Sequence, residues 1–507
     1  VDAWRELVAA YETGTGVDAD ALAAARLPAP ADAPPPEPDD RPWLAATLPA
    51  LDLAMGSVEA VRRAAVRAGA TGALATAPLE PDRIAAAFSS ERLFRLDGLE
   101  VEAFAPLSGF FRAADGWVRT HANYPHHRTR LLGLLGLHDG ASREEAAATI
   151  ARRSAQALED AATQAGAIVV RVRTEDEWRE SAAGRAAAGG PLVRVEARDD
   201  GPVEPGRHES SRAWDRAGAA PGPPAGTSAE AGAQAGAPGE AGGAARHAAP
   251  WDARRPLTGV RVLDLTRVLA GPVATRTLAL LGAQVLRVDP PVPAEIRWVH
   301  LDTGHGKRTA LLDLRGDGDL ERAHRLLAEA DVLVTGYRPG SLEALGLQVP
   351  PGVVHARVDA WGAEGPWAPR RGFDSIVQAA SGIAVVEGGP AAAAGGRPAA
   401  LPCQALDHGS GYLLAAGVID ALLARRADGR GRDVSVSLAR TAAWLLDPGV
   451  PGGARDPEHP PAAVVPPGFA ASHGRAPIVT TARPALPGFD DYLDPARPWG
   501  TDHASWV

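Results

Sequence analysis

Between residues 256 and 440 the chain alternates short apolar runs with longer stretches of helical spacing, and that alternation restricts the fold more than any other feature. Segments 260–265 (VRVLDL), 284–288 (QVLRV), 332–335, 353–358 and 434–436 read as strands. Between them, 270–281, 319–330, 341–345, 374–380 and 409–426 read as helices. Apolar runs separated by helices of about 10–15 residues predict an α/β fold: a Rossmann-like, mostly parallel sheet with right-handed crossovers. Ligands of such sheets sit beyond the carboxyl ends of the strands.

The half that precedes this pattern is mixed. Helices are predicted at 51–68, 84–88 and, strongly, 144–164, where helix formers run up to the stop at Gly166. Another helix begins at Thr174, whose hydroxyl and Glu177 make a capping-box pair. Strands are predicted near Phe94 and Val101, at 116–120 (GWVRT) and at 167–172 (AIVVRV). Two low-complexity stretches punctuate the chain: proline-rich 27–42, and an Ala/Gly/Pro tract at 202–250 with too few large apolar residues to offset the entropy of ordering. The expected organisation is an N-terminal helix with a proline-rich segment (1–50), a smaller α+β domain (51–201), a linker (202–250), the sheet domain (251–445) and a Pro/Gly-rich tail (446–507).

Composition excludes some functions. A formal net charge of -10 argues against nucleic-acid binding, which needs a basic surface. A single cysteine leaves no intrachain disulfide and suits a reducing compartment. With neither a basic-then-apolar leader nor a long apolar run, a cytoplasmic protein without a membrane segment is expected.

Five blocks carry the chemistry. PLTGVRVLDLTRVLAGPVATRTLALLGAQVLRVDPP (256–291) sets a strand, Asp-Leu-Thr, Ala-Gly-Pro at a helix start, Leu-Gly-Ala and a second strand in sequence. There follow GKRTALLDL (306–314), ADVLVTGYRPGSLEALGL (330–347), WGAEGPWAPRRGFDSIVQAASG (361–382) and LPCQALDHGSGYLLAAGVIDALLARRADGRGRDVSVSL (401–438). In this order and spacing they resemble the family III (CaiB/BaiF-type) CoA-transferases across 256–440.

The resemblance implies that the chain moves CoA between carboxylic acids, with Asp407 as nucleophile. The aspartate would take the acyl group as a mixed anhydride and then carry CoA as a thioester, which splits one hard transfer into easier steps. From its own position, Asp407 in the DHGSG run reads equally as the N-cap of the following helix, and the two roles are compatible. For the CoA site the resemblance points to Val268, Leu269, Lys307, Gly336, Tyr337, Arg338 and Arg371, with Gly336 where the family usually has asparagine and Ala344 where arginine is common. It further implies acyl-CoA and an acceptor acid as partners, coenzyme A as the sole cofactor, no metal or redox group, and an interlocked homodimer.

Two alternatives stay open. The superfamily's racemases or isomerases place a histidine before the aspartate of the GFD block; here Phe373 precedes Asp374, and a phenyl ring abstracts no proton. A catalytically degenerate CoA-binding paralogue is the other, because the family's glycine-rich loop has no identifiable match. The usual domain order is also changed: DGWVRTHANYPHHRTRLLGLLG (115–136), similar to the family's small domain, precedes the sheet domain instead of following it. His121, His126 and His127 in that segment lack a metal-ligand spacing and read as packing or as the mouth of the cleft. Cys403 has no histidine partner in the sequence and reads as a small buried residue.

Overall fold

The computed structural model describes residues 3–16, 44–202, 254–450, 468, 470–474 and 477–507. The expected linker (beyond 202) and the proline-rich 27–42 lie outside the described residues. Two small antiparallel sheets lie in the first half. β1 (Arg95–Leu96) and β2 (Leu99–Glu100) belong to one; β3 (Gly109–Ala113), β4 (Gly116–Thr120) and β5 (Val169–Arg171) form the other. Seven strands make the central sheet: β6 (Arg194–Ala197), β7 (Arg261–Leu265), β8 (Gln284–Asp289), β9 (Lys307–Leu311), β10 (Val332–Thr335), β11 (Val354–Asp359) and β12 (Arg432–Ser437). Their order is β6-β12-β11-β10-β7-β8-β9, every pair parallel except β6 with β12. The α/β architecture expected from the alternation is therefore present. β10 is buried along its whole length, as a central parallel strand covered on both faces must be.

Two differences from the expected elements have clear causes. The single helix read at 144–164 is two, Arg143–Ile150 and Ala155–Ala165, because Ser154 caps the second by accepting from the Ala157 amide. The capping box at Thr174 and Glu177 forms as read. The helix read from 409 begins earlier and spans Ala405–Asp428. Its N-cap, Gln404, gives no side-chain cap; the Asp374 carboxylate instead accepts from the amides of Leu406 (2.8 Å) and Asp407 (3.0 Å). A cap supplied from 33 residues away leaves no local trace in sequence.

The 405–428 helix organises the core. It packs between the helix Ala50–Arg67, the helix Ala270–Leu280 and the sheet. A Cβ on Gly411 would lie 2.5 Å from the carbonyl oxygen of Ala270, so only glycine permits this approach. The first half thus shares one core with the sheet domain. Tyr11 donates to Asp420 at 2.6 Å, Arg67 pairs with the same carboxylate at 2.7 Å, and β6 extends the sheet at its β12 edge.

The C-terminal segment, expected as a tail, carries structure. β13 (Ala470–His473) and β14 (Val479–Ala482) complete a four-stranded sheet with β1 and β2. Beyond them the chain runs along β9: Gly306 donates to the Asp494 carbonyl, the Asp502 amide to the Thr309 carbonyl, and Trp506 Nε1 to the Leu326 carbonyl. It covers an edge strand that would otherwise offer unpaired backbone groups. Among the described residues no single helix is long and apolar enough to cross a membrane.

Candidate active site

A cleft of about 430 Å³ opens at the carboxyl ends of β7, β8, β10 and β11, where an open α/β sheet places its ligands. Val268, Leu269, Gly336, Tyr337, Arg338, Arg371 and Asp407 all line it. Seven of the eight residues read from the sequence are thus brought together from loops spread over 140 positions. Tyr124, His126 and His127 from the first half form another wall.

Asp407 is the third residue of the 405–428 helix and is 7% exposed, toward the cleft. No hydrogen bond or ion pair to its carboxylate is formed among the described residues. Burial, then the neighbouring carboxylates of Asp374 and Glu91, raise its pKa well above the ordinary aspartate value. A helix N-terminus stabilises an anion by only about 0.3–1 kcal/mol, and here two buried like charges outweigh it. Asp374, fully buried, has its own pKa pushed up to about 6 by burial, against the lowering effect of its amide and Gln378 hydrogen bonds. Glu91 rises to about 7 for the same first reason, and its Oε2 is buried without a hydrogen-bond partner. The three carboxyls make an acidic cluster, of which Asp407 lines the cleft.

The loop after β7 is held from both sides. Beneath it, Asp264 Oδ1 accepts from the amide and hydroxyl of Thr266, and Oδ2 from Thr275 Oγ1 at 2.6 Å. Lys307 completes this brace: its ammonium lies 3.2 Å from Asp264 Oδ2, 2.8 Å from the Pro272 carbonyl and 2.6 Å from Thr275 Oγ1. Lys307 is 3% exposed and is not among the residues that line this cleft. The reason is electrostatic, since buried Asp264 needs a buried cation. Burial lowers the lysine pKa to about 8, while Asp264 raises it; Asp264 itself stays below the ordinary range despite burial, owing to Lys307 and Arg287. Above the loop, Val268 has φ +68°, a left-handed conformation that costs a β-branched residue about 1–3 kcal/mol. A Cβ on Gly271, the next glycine, would strike Thr266 at 2.4 Å.

The mouth is basic and aromatic. Arg371 forms no ion pair among the described residues; burial, then Arg338 and Arg130, lower its pKa. Arg338 likewise bonds only the Pro369 carbonyl there, at 3.3 Å. Unpaired guanidiniums in a cleft suit phosphate or carboxylate groups. His121 stacks on Phe373 with centroids 3.7 Å apart, and His127 meets the same ring edge-on at 5.7 Å. Burial, then neighbouring histidines and arginines, lower His127 to about 3 and His121 well below the usual value, so both are neutral. Among the described residues no group of histidine, cysteine and carboxylate side chains could hold a metal ion. His408 is buried against Phe88 with both ring nitrogens unpartnered and a pKa near 3, also from burial first. Burial, then Glu91 and Asp374, push the Cys403 thiol far up, so it is a protonated core residue.

Several participants escaped the sequence reading. Asp374 lies in the GFD block, yet nothing local says that it caps the 405–428 helix. Arg267, Tyr124 and Trp361 line the cleft without having been singled out, although Arg267 directly precedes a chosen residue. Glu91 and Glu295 act from segments that carry no motif.

Residues 257–464 match the family model described as CoA-transferase family III, so the resemblance carried by the five blocks is borne out over that segment. Relatives include an acetyl-coenzyme A transferase of Hypoxylon pulicicidum, 33% identical over 208 residues (39% of this chain, 35% of that protein). A probable fatty acyl-CoA transferase of Mycobacterium tuberculosis is 34% identical over 210 residues (38% and 52%). An acetyl-CoA:oxalate CoA-transferase of Acetobacter aceti is 30% identical over 209 residues (37% and 52%). A crystal structure of a hypothetical protein from M. tuberculosis is 34% identical, covering 38% of this chain and 56% of that one, with a TM-score of 0.35. The chain spans a third to a half of the length of these curated relatives.

Proposed function

We propose that the protein is a CoA-transferase that moves CoA between carboxylic acids through covalent intermediates on Asp407. The observation that carries this reading is a buried carboxylate, unpaired by any described cation, facing a cleft with unpaired arginines at its mouth. A carboxylate without a counter-ion keeps its electron pair available, and its raised pKa makes it a stronger nucleophile once ionised. Its oxygen attacks the thioester carbonyl, the C–S bond breaks, and CoA leaves as thiolate. The thiolate then attacks the aspartyl carbonyl of the anhydride, freeing the donor acid and leaving aspartyl-CoA thioester. The acceptor carboxylate then attacks the aspartyl thioester, the reverse of the second step, giving a new mixed anhydride and CoA thiolate. The thiolate attacks the acceptor's acyl carbonyl, which forms the new acyl-CoA and regenerates Asp407.

Val268, Leu269, Gly336, Tyr337, Arg338 and Arg371 form the CoA-binding side in this reading. Lys307 serves the loop from beneath instead of touching the ligand. The racemase alternative is weakened by His127 beside Phe373, because a base whose pKa burial lowers to about 3 removes a proton poorly. An interlocked homodimer belongs to the same reading, and light scattering of the purified chain measures it.

The test is mass spectrometry of the protein after incubation with a panel of acyl-CoAs, with hydroxylamine trapping. A covalent adduct that maps to Asp407 and is missing from Asp407→Ala supports transfer. CoA binding without any adduct, across the panel, overturns transfer in favour of a binding-only paralogue.

A further inference from the structure

Glu295 follows β8 and stands outside the cleft lining, 8% exposed. Its carboxylate gathers donors from three parts of the chain. Oε2 accepts from the amide of Val268 at 3.0 Å and from Arg287 Nη2 at 3.0 Å, with Arg267 Nε at 3.5 Å. Oε1 accepts from the Ile296 amide at 2.9 Å and from the Tyr124 hydroxyl in a short hydrogen bond. Arg267, whose guanidinium also lies 5.2 Å from the centre of the Tyr124 ring, completes the group. Val268, Tyr124 and Arg267 all line the cleft.

Two features give this carboxylate a role beyond packing. First, the amide it holds belongs to Val268, one of three non-glycine residues with positive φ among the described residues (the others are Leu44 and Asp97). A β-branched residue leaves that conformation unless something retains it, and strain of this kind collects at functional sites. Second, the hydroxyl it holds belongs to the first half of the chain, 171 positions away. One carboxylate therefore fixes the strained loop of the sheet domain and the wall contributed by the smaller segment in a single arrangement. Every partner is a donor, so an acceptor-only group is required and an amide cannot replace it fully.

We propose that Glu295 is a positioning residue for the cleft, holding the Val268 backbone and the Tyr124 ring in the arrangement that binds the ligand. This rests on the reading of the cleft as an acyl-CoA site. Loss of the carboxylate frees the loop to relax, so affinity falls while the chemistry at Asp407, with which Glu295 makes no hydrogen bond or ion pair among the described residues, continues at saturation.

The experiment uses the full chain and coenzyme A itself as the calorimetric probe, together with the acylation rate at saturating acyl-CoA. Glu295→Gln raises the CoA dissociation constant about tenfold, and Tyr124→Phe, which removes a single donor and no charge, raises it about threefold. The acylation rate constant at saturation changes by less than about twofold in both, the signature of lost ground-state binding. The double variant Glu295→Gln/Val268→Gly recovers most of the lost affinity, because glycine enters the left-handed region without cost. A Glu295→Gln variant that binds CoA as the wild type does, or a loss that glycine at 268 fails to relieve, overturns the proposal. A wild type that binds no CoA overturns both this proposal and the functional reading; a wild type that binds CoA and is acylated, with an unaffected Glu295→Gln, overturns this one alone.

Discussion

Asp264 and Asp407 are the same residue type, nearly equally buried, at the same end of one sheet, and their surroundings are opposite. Asp264 is met by an ammonium and three donors from Thr266 and Thr275, and its pKa is lowered despite burial. Asp407 is met by two other carboxyls, and its pKa is raised. The difference teaches how burial is used. A paired buried carboxylate spends its lone pairs on structure; an unpaired one retains them for a substrate. The same contrast explains why Lys307, in a block that resembles the CoA site, faces inward: it belongs to the paired aspartate.

The largest expected effect falls on the unpaired side. Asp407→Asn lowers transfer by about a thousandfold or more, about 4 kcal/mol of activation free energy, in steady-state assays. Its thermal midpoint stays the same or rises, since a like charge has been removed. On the paired side the reverse holds. Lys307→Met leaves Asp264 buried without its cation and costs about 3–5 kcal/mol in urea unfolding. A Lys307→Met protein of normal stability but weakened CoA affinity would break the comparison.

The pH dependences also run in opposite directions. Asp264, with its pKa lowered in the folded state, contributes stability that is present above its unfolded pKa and lost as pH falls through the folded value. Asp374, raised to about 6, and Glu91, raised to about 7, contribute stability that is full below their unfolded pKa values and lost as pH rises through the folded ones. Stability followed from pH 4 to 7 therefore falls through the acidic cluster, and the fall shrinks in Glu91→Gln. Because the attacking form of Asp407 is the carboxylate, its acylation rate declines as pH falls. Asp374→Asn keeps an acceptor oxygen for the helix amides but removes the like charge, and moves that acid limb down by about one pH unit, about 1.4 kcal/mol.

The smallest expected effect concerns Gly336. A Cβ there would meet Thr266 at 3.7 Å, an ordinary contact, and Gly336 is not among the residues with positive φ. Gly336→Asn is expected to change stability by no more than about 0.5 kcal/mol, as urea unfolding would read. A larger loss would mean that the loop after β10 has less room than its geometry gives.

Five of the six parallel strands were legible because they are largely buried and the helices between them carry their own periodicity; β9 and the mostly exposed β6 were not. Loop residues such as Val268, Tyr337 and Arg371 were legible through the motif blocks, which follow the strand ends in order. Illegible were the contacts that depend on distant segments. Asp374 capping the 405–428 helix, Glu91 beside Asp407, and Tyr124 on Glu295 each join positions with no periodic or spacing relation. Lys307 shows the complementary limit: its place in a motif is legible, whereas the contacts of its ammonium with Asp264, Pro272 and Thr275 depend on a different block of the chain. The segment after 446 hid its strands behind a high proline and glycine content, since β13 and β14 are four residues each and gain their stability from pairing with each other and, through β14, with β1.

The most direct measurement follows an oxygen atom. An acceptor acid labelled with 18O in its carboxylate is turned over with an acyl-CoA donor, and the peptide that contains Asp407 is weighed. If Asp407 passes through a mixed anhydride with the acceptor, one heavy oxygen remains in its carboxylate when CoA departs with the acyl group. In a single turnover this peptide gains the mass of one 18O-for-16O exchange. Turnover with no label in Asp407, the heavy oxygen given up by each acceptor being found directly in the released donor acid, would contradict it.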